Sequence, residues 1–278
     1  MAIFIVTPIL RVFQISANKV TRAGILKGFN NFENFTTVLK NPTFALVLKN
    51  TLVWTIAVVV ISTVLGFMLA LVLNNQFKGR KIARAIVVFP WATTLVIQAS
   101  VWNFIINIDY GTLNTLLMKL HIISAPVNWT PTPGAYFAWE IACGIFVTIP
   151  FVSFCVLSGL QSIDASYYEA ATVDGANYWQ KLFKITLPLV KSSLTVSTVL
   201  NIIYVFNSFP IIWTMTKGDP ANHTDTLVTY LYKLAFYNGK QGEAAAVSVI
   251  GFLILLCAPA FTWFTPCGKE MTDGERTD

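Results

Sequence analysis

Four polar side chains lie close together in one apolar stretch of this sequence, and they could bind a hydroxyl-rich solute. Asn201, Tyr204 and Ser208 recur at intervals of three and four residues, so on a helix they share one face, and Asn207 lies beside them. Proteins bind sugars through amide and hydroxyl hydrogen bonds and through aromatic faces, which these residue types supply. The alternative is that the same side chains join helices by interhelical hydrogen bonds. Weaker candidates of the same kind are Gln98 and Asn103.

The motifs of the sequence do not indicate covalent or nucleotide chemistry. No G-x-x-x-x-G-K-[ST] motif is present, so the chain has no P-loop to hold a nucleotide. The two histidines, His121 and His223, fall in predicted loops, which argues against a histidine-ligated zinc site. A membrane-embedded enzyme would need paired carboxylates or a nucleophile with its base, and neither is visible. We therefore expect a chain that is not an enzyme, with no catalytic residue, no metal site and no cofactor of its own.

Long uncharged stretches must position the polar residues. The chain has 278 residues, of which 55% are hydrophobic and 12% charged, and its mean hydropathy is +0.63. Soluble domains usually carry about twice that charge fraction. Five stretches lack Asp, Glu, Lys and Arg: 52–73, 85–106, 141–160, 192–215 and 244–266. Each is long enough to cross a hydrocarbon core of about 30 Å as a helix. The sequence predicts an all-α polytopic membrane protein with five transmembrane helices, of which two are kinked at Pro90 and Pro150.

The ends of the chain complete the predicted domain organisation. Only ten residues precede Arg11, too few for a span, so residues 1–17 predict a partial or truncated sixth transmembrane helix. We expect an external segment over 18–49, a transmembrane domain over 50–266 and a cytoplasmic tail over 267–278. The cysteines are expected to be small, buried and inert thiols. They are Cys143, Cys155, Cys257 and Cys267.

The short loops predict the orientation of the chain in the membrane. Residues 74–84 contain four Lys or Arg and no acidic residue, whereas Lys119 is the single Lys or Arg of 107–134. The positive-inside rule places 74–84 in the cytoplasm, and counting helices places 161–191 in the cytoplasm and 216–243 outside. Residues 11–49 fit less well, because this topology puts six positive charges outside. The topology accounts for most of the net charge of +6 without a nucleic-acid partner.

The predicted cytoplasmic segment 161–188 has an unusual composition for a connection between spans. Tyr167, Ala170, Ala171 and Asp174 share one helical face, and the adjacent alanines would let another surface approach closely. After Gly175 a second face follows, formed by Trp179, Leu182, Phe183 and Thr186. Helix punctuation alone is the alternative, with a capping box at Ser166 and Glu169 and a helix end at Gly175. Together the elements predict a lever that passes force from a cytoplasmic partner into the membrane.

Three motifs in that segment resemble the EAA loop of ABC-importer permeases. They are Glu169-Ala170-Ala171, Asp174-Gly175-Ala176 and Ile185-Thr186-Leu187-Pro188, and all three stand in register with the family pattern. Residues 209–236 resemble the external region of maltose-type sugar permeases, with Lys217-Gly218-Asp219-Pro220 where a glycine run is usual. Residues 28–55 resemble the entry to the second helix of that family. The resemblance covers nearly the whole chain from about residue 28, whereas the N-terminus departs from it.

The resemblance implies a fold like that of type I ABC-importer permeases and a multi-pass place in the cytoplasmic membrane. The segment 161–188 would be the coupling loop, and Glu169, Ala170, Ala171, Asp174 and Gly175 would dock the ATPase. A di- or oligosaccharide would cross by alternating access, along a path that Asn201, Tyr204, Asn207 and Ser208 would line. The implied partners are a second permease chain, different but similar, two copies of an ATPase that uses ATP and magnesium, an extracytoplasmic solute-binding protein and the lipid bilayer.

Two other kinds of transporter remain as alternatives. Within the importer family, the solute could be glycerol-phosphate or another polyol, although a phosphate would favour basic residues near the path and the predicted spans contain none. A self-sufficient secondary carrier would need ionisable groups inside the membrane and often an internal repeat. Glu140 is expected near the outer end of its helix, where its side chain can reach the interface, and no repeat is visible.

Overall fold

The computed structural model of the protein describes residues 2–22 and 24–263, which are predominantly helical. Helices α1 to α7 span Ala2–Ser16, Glu33–Lys40, Pro42–Asn74, Arg80–Ala92, Leu95–Ile106, Thr112–Lys119 and Pro133–Gln161. Helices α8 to α14 span Ala165–Val173, Tyr178–Lys181, Leu187–Leu189, Lys191–Phe206, Pro210–Met215, Leu227–Tyr232 and Gln241–Trp263. Two π-helical turns, π1 and π2, span Leu182–Thr186 and Lys233–Tyr237. The predicted all-α class holds apart from one ribbon of two antiparallel strands, β1 (Asn18–Val20) and β2 (Leu26–Phe29).

The membrane-spanning helices agree with the prediction in part. In the described part of the chain, α3, α7 and the stretch Lys191–Met215 are long and apolar enough to cross a membrane, and α4 with α5 makes a fourth span if the pair counts as one. The predicted single helix over 85–106, kinked at Pro90, is therefore wrong, because α4 and α5 meet at 95° across a break after Ala92. Helix α14 matches the fifth stretch up to Trp263, and its last three predicted residues lie outside the described residues.

The break between α4 and α5 has a local cause at Thr93. The backbone of Thr93 is extended, with φ −92° and ψ 155°. Its hydroxyl and its N–H both donate to the carbonyl oxygen of Pro90, at 2.8 and 3.3 Å, so the end of α4 is capped. Pro150 behaves differently, because α7 continues through it without interruption. The prediction that the helix is not broken at Pro150 is confirmed, whereas the kink there stays a prediction.

The chain divides into two compact units, each with its own apolar core. Unit 1 is built on residues up to Thr55, on Leu95–Ile141 and on Phe206–Cys257. Buried apolar side chains from α2, α3, α13 and α14 pack together in it, and they include Val38, Val47, Leu227, Tyr230 and Val247. The prediction that residues 18–49 form an external segment falls on this unit, where the residues form the ribbon, α2 and the start of α3.

Unit 2 is built on Ile56–Thr94 and Ala142–Val205, together with the end of α14 from Ala258 to Trp263. Its core joins the second half of α3 to α7, and the buried side chains include Ala70, Leu73, Val152, Val156 and Leu160. Val190, directly before α11, is buried in the same cluster. The segment 161–188 lies entirely in this unit, so its position relative to α3, α7 and α11 follows from one continuous core.

One face of α3 is apolar and exposed. Large apolar side chains recur every fourth residue along it, at Ile56, Val60, Val64, Met68 and Val72. Such a stripe on a helix that spans a membrane suits contact with lipid or with another membrane subunit. Of the cysteines predicted to be buried, Cys143 is buried, Cys155 is half-buried and Cys257 is exposed, and Cys267 lies outside the described residues.

Candidate functional site

The segment 161–188 folds as a helix, a sharp turn and a second helical stretch. Helix α8 begins after Asp164, whose side-chain oxygen accepts a hydrogen bond from the Ser166 N–H at 2.8 Å. Hydrogen bonds from Ser166 hold the pKa of the Asp164 carboxyl below its ordinary value. The predicted capping box at Ser166 and Glu169 is therefore wrong, because an acidic side chain two residues earlier already caps the helix.

The helix end predicted at Gly175 is confirmed. The φ of Gly175 is +76°, a conformation that glycine adopts at little cost. Its N–H donates to the carbonyl oxygen of Thr172, and the Ala176 N–H donates to that of Ala171, which is the Schellman pattern. A capping box between Asn177 and Gln180 starts the next helix two residues later. The change of direction is therefore defined by hydrogen bonds at each side of the glycine.

Two hydrogen bonds brace α8 against the stretch that follows Gly175. The Tyr168 hydroxyl lies 3.0 Å from the hydroxyl oxygen of Thr186 in π1. The Lys181 ammonium donates to the Thr172 hydroxyl oxygen at 2.7 Å. Both bonds connect parts on opposite sides of the turn, so they restrain the two helical stretches relative to each other. A displacement of α8 would therefore move the stretch that leads into α11.

The outward surface of this segment differs in part from the predicted one. Glu169, Ala170, Asp174 and Gly175 are exposed, whereas Ala171 is only 9% exposed and faces the protein interior. The docking role of these residues stays a prediction. In the second predicted face Trp179 and Phe183 are exposed and stack with their ring centroids 6.1 Å apart, whereas Leu182 is half-buried and Thr186 is buried.

The sequence argument missed Val173, whose side chain is 88% exposed. Tyr178 is also exposed, and its ring contacts that of Trp179 at 5.6 Å. An apolar residue one position before the helix C-cap, in a segment otherwise rich in polar residues, was the available signal. Exposed apolar side chains at the end of a short helix are typical of a surface that another protein covers.

The polar residues predicted to line a path are divided between inward and outward positions. Asn201 is fully buried, and its side-chain amide donates to the Ser62 hydroxyl oxygen at 2.9 Å. Its side-chain carbonyl oxygen is buried without a hydrogen-bond partner in the described residues. The interhelical alternative is thus the one that the geometry favours for Asn201, because the bond joins α11 to α3.

We expect the Asn201–Ser62 bond to stabilise unit 2 by about 1 kcal/mol. Asn201→Ala and Ser62→Ala should each lower the apparent melting temperature of the purified protein in detergent. Because either change removes the same bond, the double variant should lose less than the sum of the two single losses. Strictly additive losses would contradict a direct bond between these side chains.

The other three path residues do not form one helical stripe. Helix α11 ends at Phe206, so Asn207 and Ser208 lie in a break before α12, and the predicted continuous spacing to Ser208 is wrong. Tyr204 is 45% exposed and Asn207 is exposed, whereas Ser208 is buried. Of the weaker candidates, Gln98 is buried. Asn103 joins three elements of unit 1, with its amide 3.1 Å from the Met215 carbonyl oxygen and its side-chain oxygen accepting from the Tyr136 hydroxyl.

Glu140 does not reach the interface as predicted, since its side chain is fully buried. One carboxylate oxygen accepts a hydrogen bond from the Thr216 hydroxyl at 2.7 Å. The Thr216 hydroxyl in turn lies 2.7 Å from the hydroxyl of Thr224. Because a buried carboxyl group has lost its contact with water, this hydrogen bond matters to it, and it connects Glu140 in α7 to the loop after α12.

The loop after α12, residues 216–226, is held by a buried ion pair. The Asp225 carboxylate accepts from the Lys233 ammonium at 2.8 Å, and its side chain is fully buried. Burial raises the pKa of Asp225, and the hydrogen bond from Lys233 opposes that shift. The predicted turn at Lys217-Gly218-Asp219-Pro220 is confirmed, with positive φ at Lys217 and Gly218.

The sequence model for binding-protein-dependent transport system inner membrane components matches residues 62–265 of this chain. A probable ABC transporter permease protein of Brucella suis is 46% identical over 255 residues, which cover 92% of this chain and 88% of the relative. A trehalose/maltose transport system permease protein of Thermococcus litoralis is 36% identical over 256 residues, covering 91% and 85%.

The fold is similar to a solved structure as well. A chain in the crystal structure of a bacterial ABC transporter involved in the import of the acidic polysaccharide alginate superimposes with a TM-score of 0.82. The superposition covers 99% of this chain and 91% of the other, at 23% sequence identity. At that identity the likeness concerns the fold alone.

Proposed function

This chain belongs to the family of binding-protein-dependent transport system inner membrane components and is an ABC-importer permease, and we propose that it carries a di- or oligosaccharide across the cytoplasmic membrane. The saccharide class is supported by the 36% identical relative, which is named for trehalose and maltose transport. We further propose that the predicted coupling loop, 161–188, docks an ATPase. The braced turn around Gly175 is the observation that supports this docking.

Docking would use the exposed residues of α8 and its C-terminal turn. Glu169, Ala170, Asp174 and Gly175 offer a mixture of charge, small size and exposed backbone, and Val173 adds an apolar contact. Ala171 would support this surface from the inside rather than touch the partner. The partner ATPase would use ATP and magnesium, and this chain would bind neither.

Alternating access would follow from the rigidity of the segment. We propose that two ATPase copies close on ATP and pull on the coupling loops of this chain and of a second, similar permease. Because Tyr168 and Thr172 tie α8 to the residues before α11, the pull would reach the membrane without loss in a flexible loop. Hydrolysis would reset the pair, and an extracytoplasmic binding protein would deliver the saccharide.

The path would lie at the exposed side of α11. Tyr204 supplies an aromatic face and a hydroxyl there, and Leu200, about one turn before it, continues the same exposed side. Asn201 would contribute by fixing α11 against α3. We propose that the fold is like that of a type I importer permease. In it, α4 and α5 together would form one broken transmembrane span, and α1 would form part of another.

The test is saccharide uptake by the complete complex reconstituted in proteoliposomes, with maltose and trehalose as probes. Tyr204→Ala should lower uptake about tenfold, which corresponds to about 1.4 kcal/mol, while the ATPase stays bound. Val196→Ala, a change on the same helix two turns away, is the matched control and should transport at the wild-type rate. Uptake by Tyr204→Ala equal to that of wild type would place the path elsewhere.

A further inference from the structure

A cavity of about 530 Å³ lies in unit 1 beside Trp213. We call it the Trp213 cavity. It is lined by Asn41, directly after α2, by Thr43 in α3, and by Asp219 and Asn222 in the loop after α12. Tyr237 in π2 closes another side. The volume falls in the range of small-molecule sites, about 300–1,000 Å³. The path residues discussed above do not line it.

An aromatic wall of this cavity is fixed by its neighbours. The ring of Trp213 stacks on that of Phe209, with 5.1 Å between ring centroids and 21° between their planes. Tyr232 packs against the same indole at 4.9 Å, nearly perpendicular to it. Tyr237 lies 5.9 Å from it. A ring held by three others cannot turn easily, so it offers a preformed flat surface to a ligand.

The polar wall offers hydrogen-bonding groups, and most of its positive charge is held in ion pairs. Lys233 is engaged by Asp225 at 2.8 Å, by Asn222 at 3.4 Å and by Asp219 at 3.7 Å. Lys240, also at the cavity, pairs with Glu243 at 3.1 Å. These pairings leave the Asp219 carboxylate mostly exposed. Two of the three lysines that line the cavity are thus neutralised, which favours a hydroxyl-rich neutral ligand over an anion.

The loop at the cavity adopts an unusual backbone conformation. Lys217, Ala221 and Asn222 have φ values of 57°, 52° and 62°. These values lie in the left-handed region, which residues other than glycine and asparagine rarely adopt. Such conformations persist only where the surrounding contacts hold them, and they cluster at ligand sites. Here the ion pair of Asp225 with Lys233 and the Thr216–Thr224 contact hold the loop.

We propose that the Trp213 cavity is a second saccharide site, which holds a sugar ring against the aromatic wall and its hydroxyls against Asp219, Asn222 and Asn41. A pyranose ring has an apolar face for the indole or Tyr237 and a rim of hydroxyls for the polar groups. The inference rests on the proposed transport of saccharides. The site would retain the sugar at the predicted external side before it enters the path.

The test uses the assembled complex of permeases and ATPase in nanodiscs, without the solute-binding protein, and equilibrium dialysis of radiolabelled maltose and trehalose. Tyr237→Ala should weaken binding at least tenfold. Phe236→Ala is the matched control, because its neighbouring ring is equally exposed, at 73% against 69%, but does not line the cavity. Tyr204→Ala, in the proposed path, should still bind the sugar.

Two results would overturn the second site. Either no saccharide binds the wild-type complex, or binding is lost in Tyr204→Ala and kept in Tyr237→Ala. Uptake by the same preparation, with the binding protein added, separates this failure from that of the proposed function. Uptake without binding in the cavity removes the second site alone. A complex that neither binds nor takes up either sugar removes both.

Discussion

Val173→Asp is expected to release the ATPase subunit from this permease, weakening their association about thirtyfold. Val173 is the most exposed large apolar side chain of the coupling loop, and it stands in the last turn of α8. Truncating a central contact of an interface typically costs about 2 kcal/mol, and a carboxylate would in addition have to be desolvated. Glu169→Lys, which reverses the charge on the same helix, should act in the same direction. Co-purification from detergent-solubilised membranes is the measurement.

The matched control for this prediction is Ala165→Asp. Ala165 is exposed at the first turn of the same helix, where a negative charge is favourable to the helix dipole. The Ala165→Asp variant adds the same charge as Val173→Asp without changing the C-terminal turn of α8, so we expect it to keep the ATPase bound. If both aspartate variants fold and hold the ATPase as firmly as wild type does, the coupling-loop interpretation is wrong and 161–188 is an ordinary connection.

Gly218→Ala is expected to have the largest effect on the fold outside the coupling loop. The φ of Gly218 is +81°, and a Cβ there would overlap the carboxylate of Asp225. That carboxylate cannot withdraw, because it is buried and paired with Lys233. We expect a loss of about 2–4 kcal/mol in the free energy of unfolding, with the loop 216–226 disordered first.

Gly79→Ala separates the cost of a left-handed backbone from the cost of the overlap with Asp225. Gly79 has a comparable φ of +92°, but nothing lies within 4 Å of the position of its Cβ. It therefore reports the cost of the backbone conformation alone. In thermal melts monitored in detergent, Gly218→Ala should melt well below Gly79→Ala. Equal melting temperatures would show that Asp225 moves aside without penalty.

Composition and local motifs were enough to predict the helical class and the family, whereas the coupling role of 161–188 stays a prediction. The apolar runs predicted α3, α7 and α14 because a long uncharged stretch has few other stable arrangements in a membrane. The helix end at Gly175 followed from the same kind of local rule. These features depend on residues that are neighbours in the chain.

Features that depend on distant residues were not predictable. Glu140 near a helix end is compatible with an exposed side chain until Thr216, 76 residues later, is known to meet it. Asn201 likewise appears free to bind a solute until Ser62 is placed against it. Hydrophobic periodicity describes a single helix, whereas these contacts form between different elements of the fold.

The π1 turn gives the predicted coupling loop an adjustable direction that a regular helix would lack. From Tyr178 to Leu189 the backbone is helical throughout. Within this stretch one wide turn, Leu182–Thr186, has π rather than α geometry. A π turn accommodates one extra residue, and each residue of an α-helix corresponds to about 100° of rotation. The number of residues in this turn therefore sets the azimuth of α8 about the axis that leads into α11. On the proposed docking, related chains could present the same helix to a differently oriented ATPase by a single insertion or deletion here, with the membrane helices left in phase.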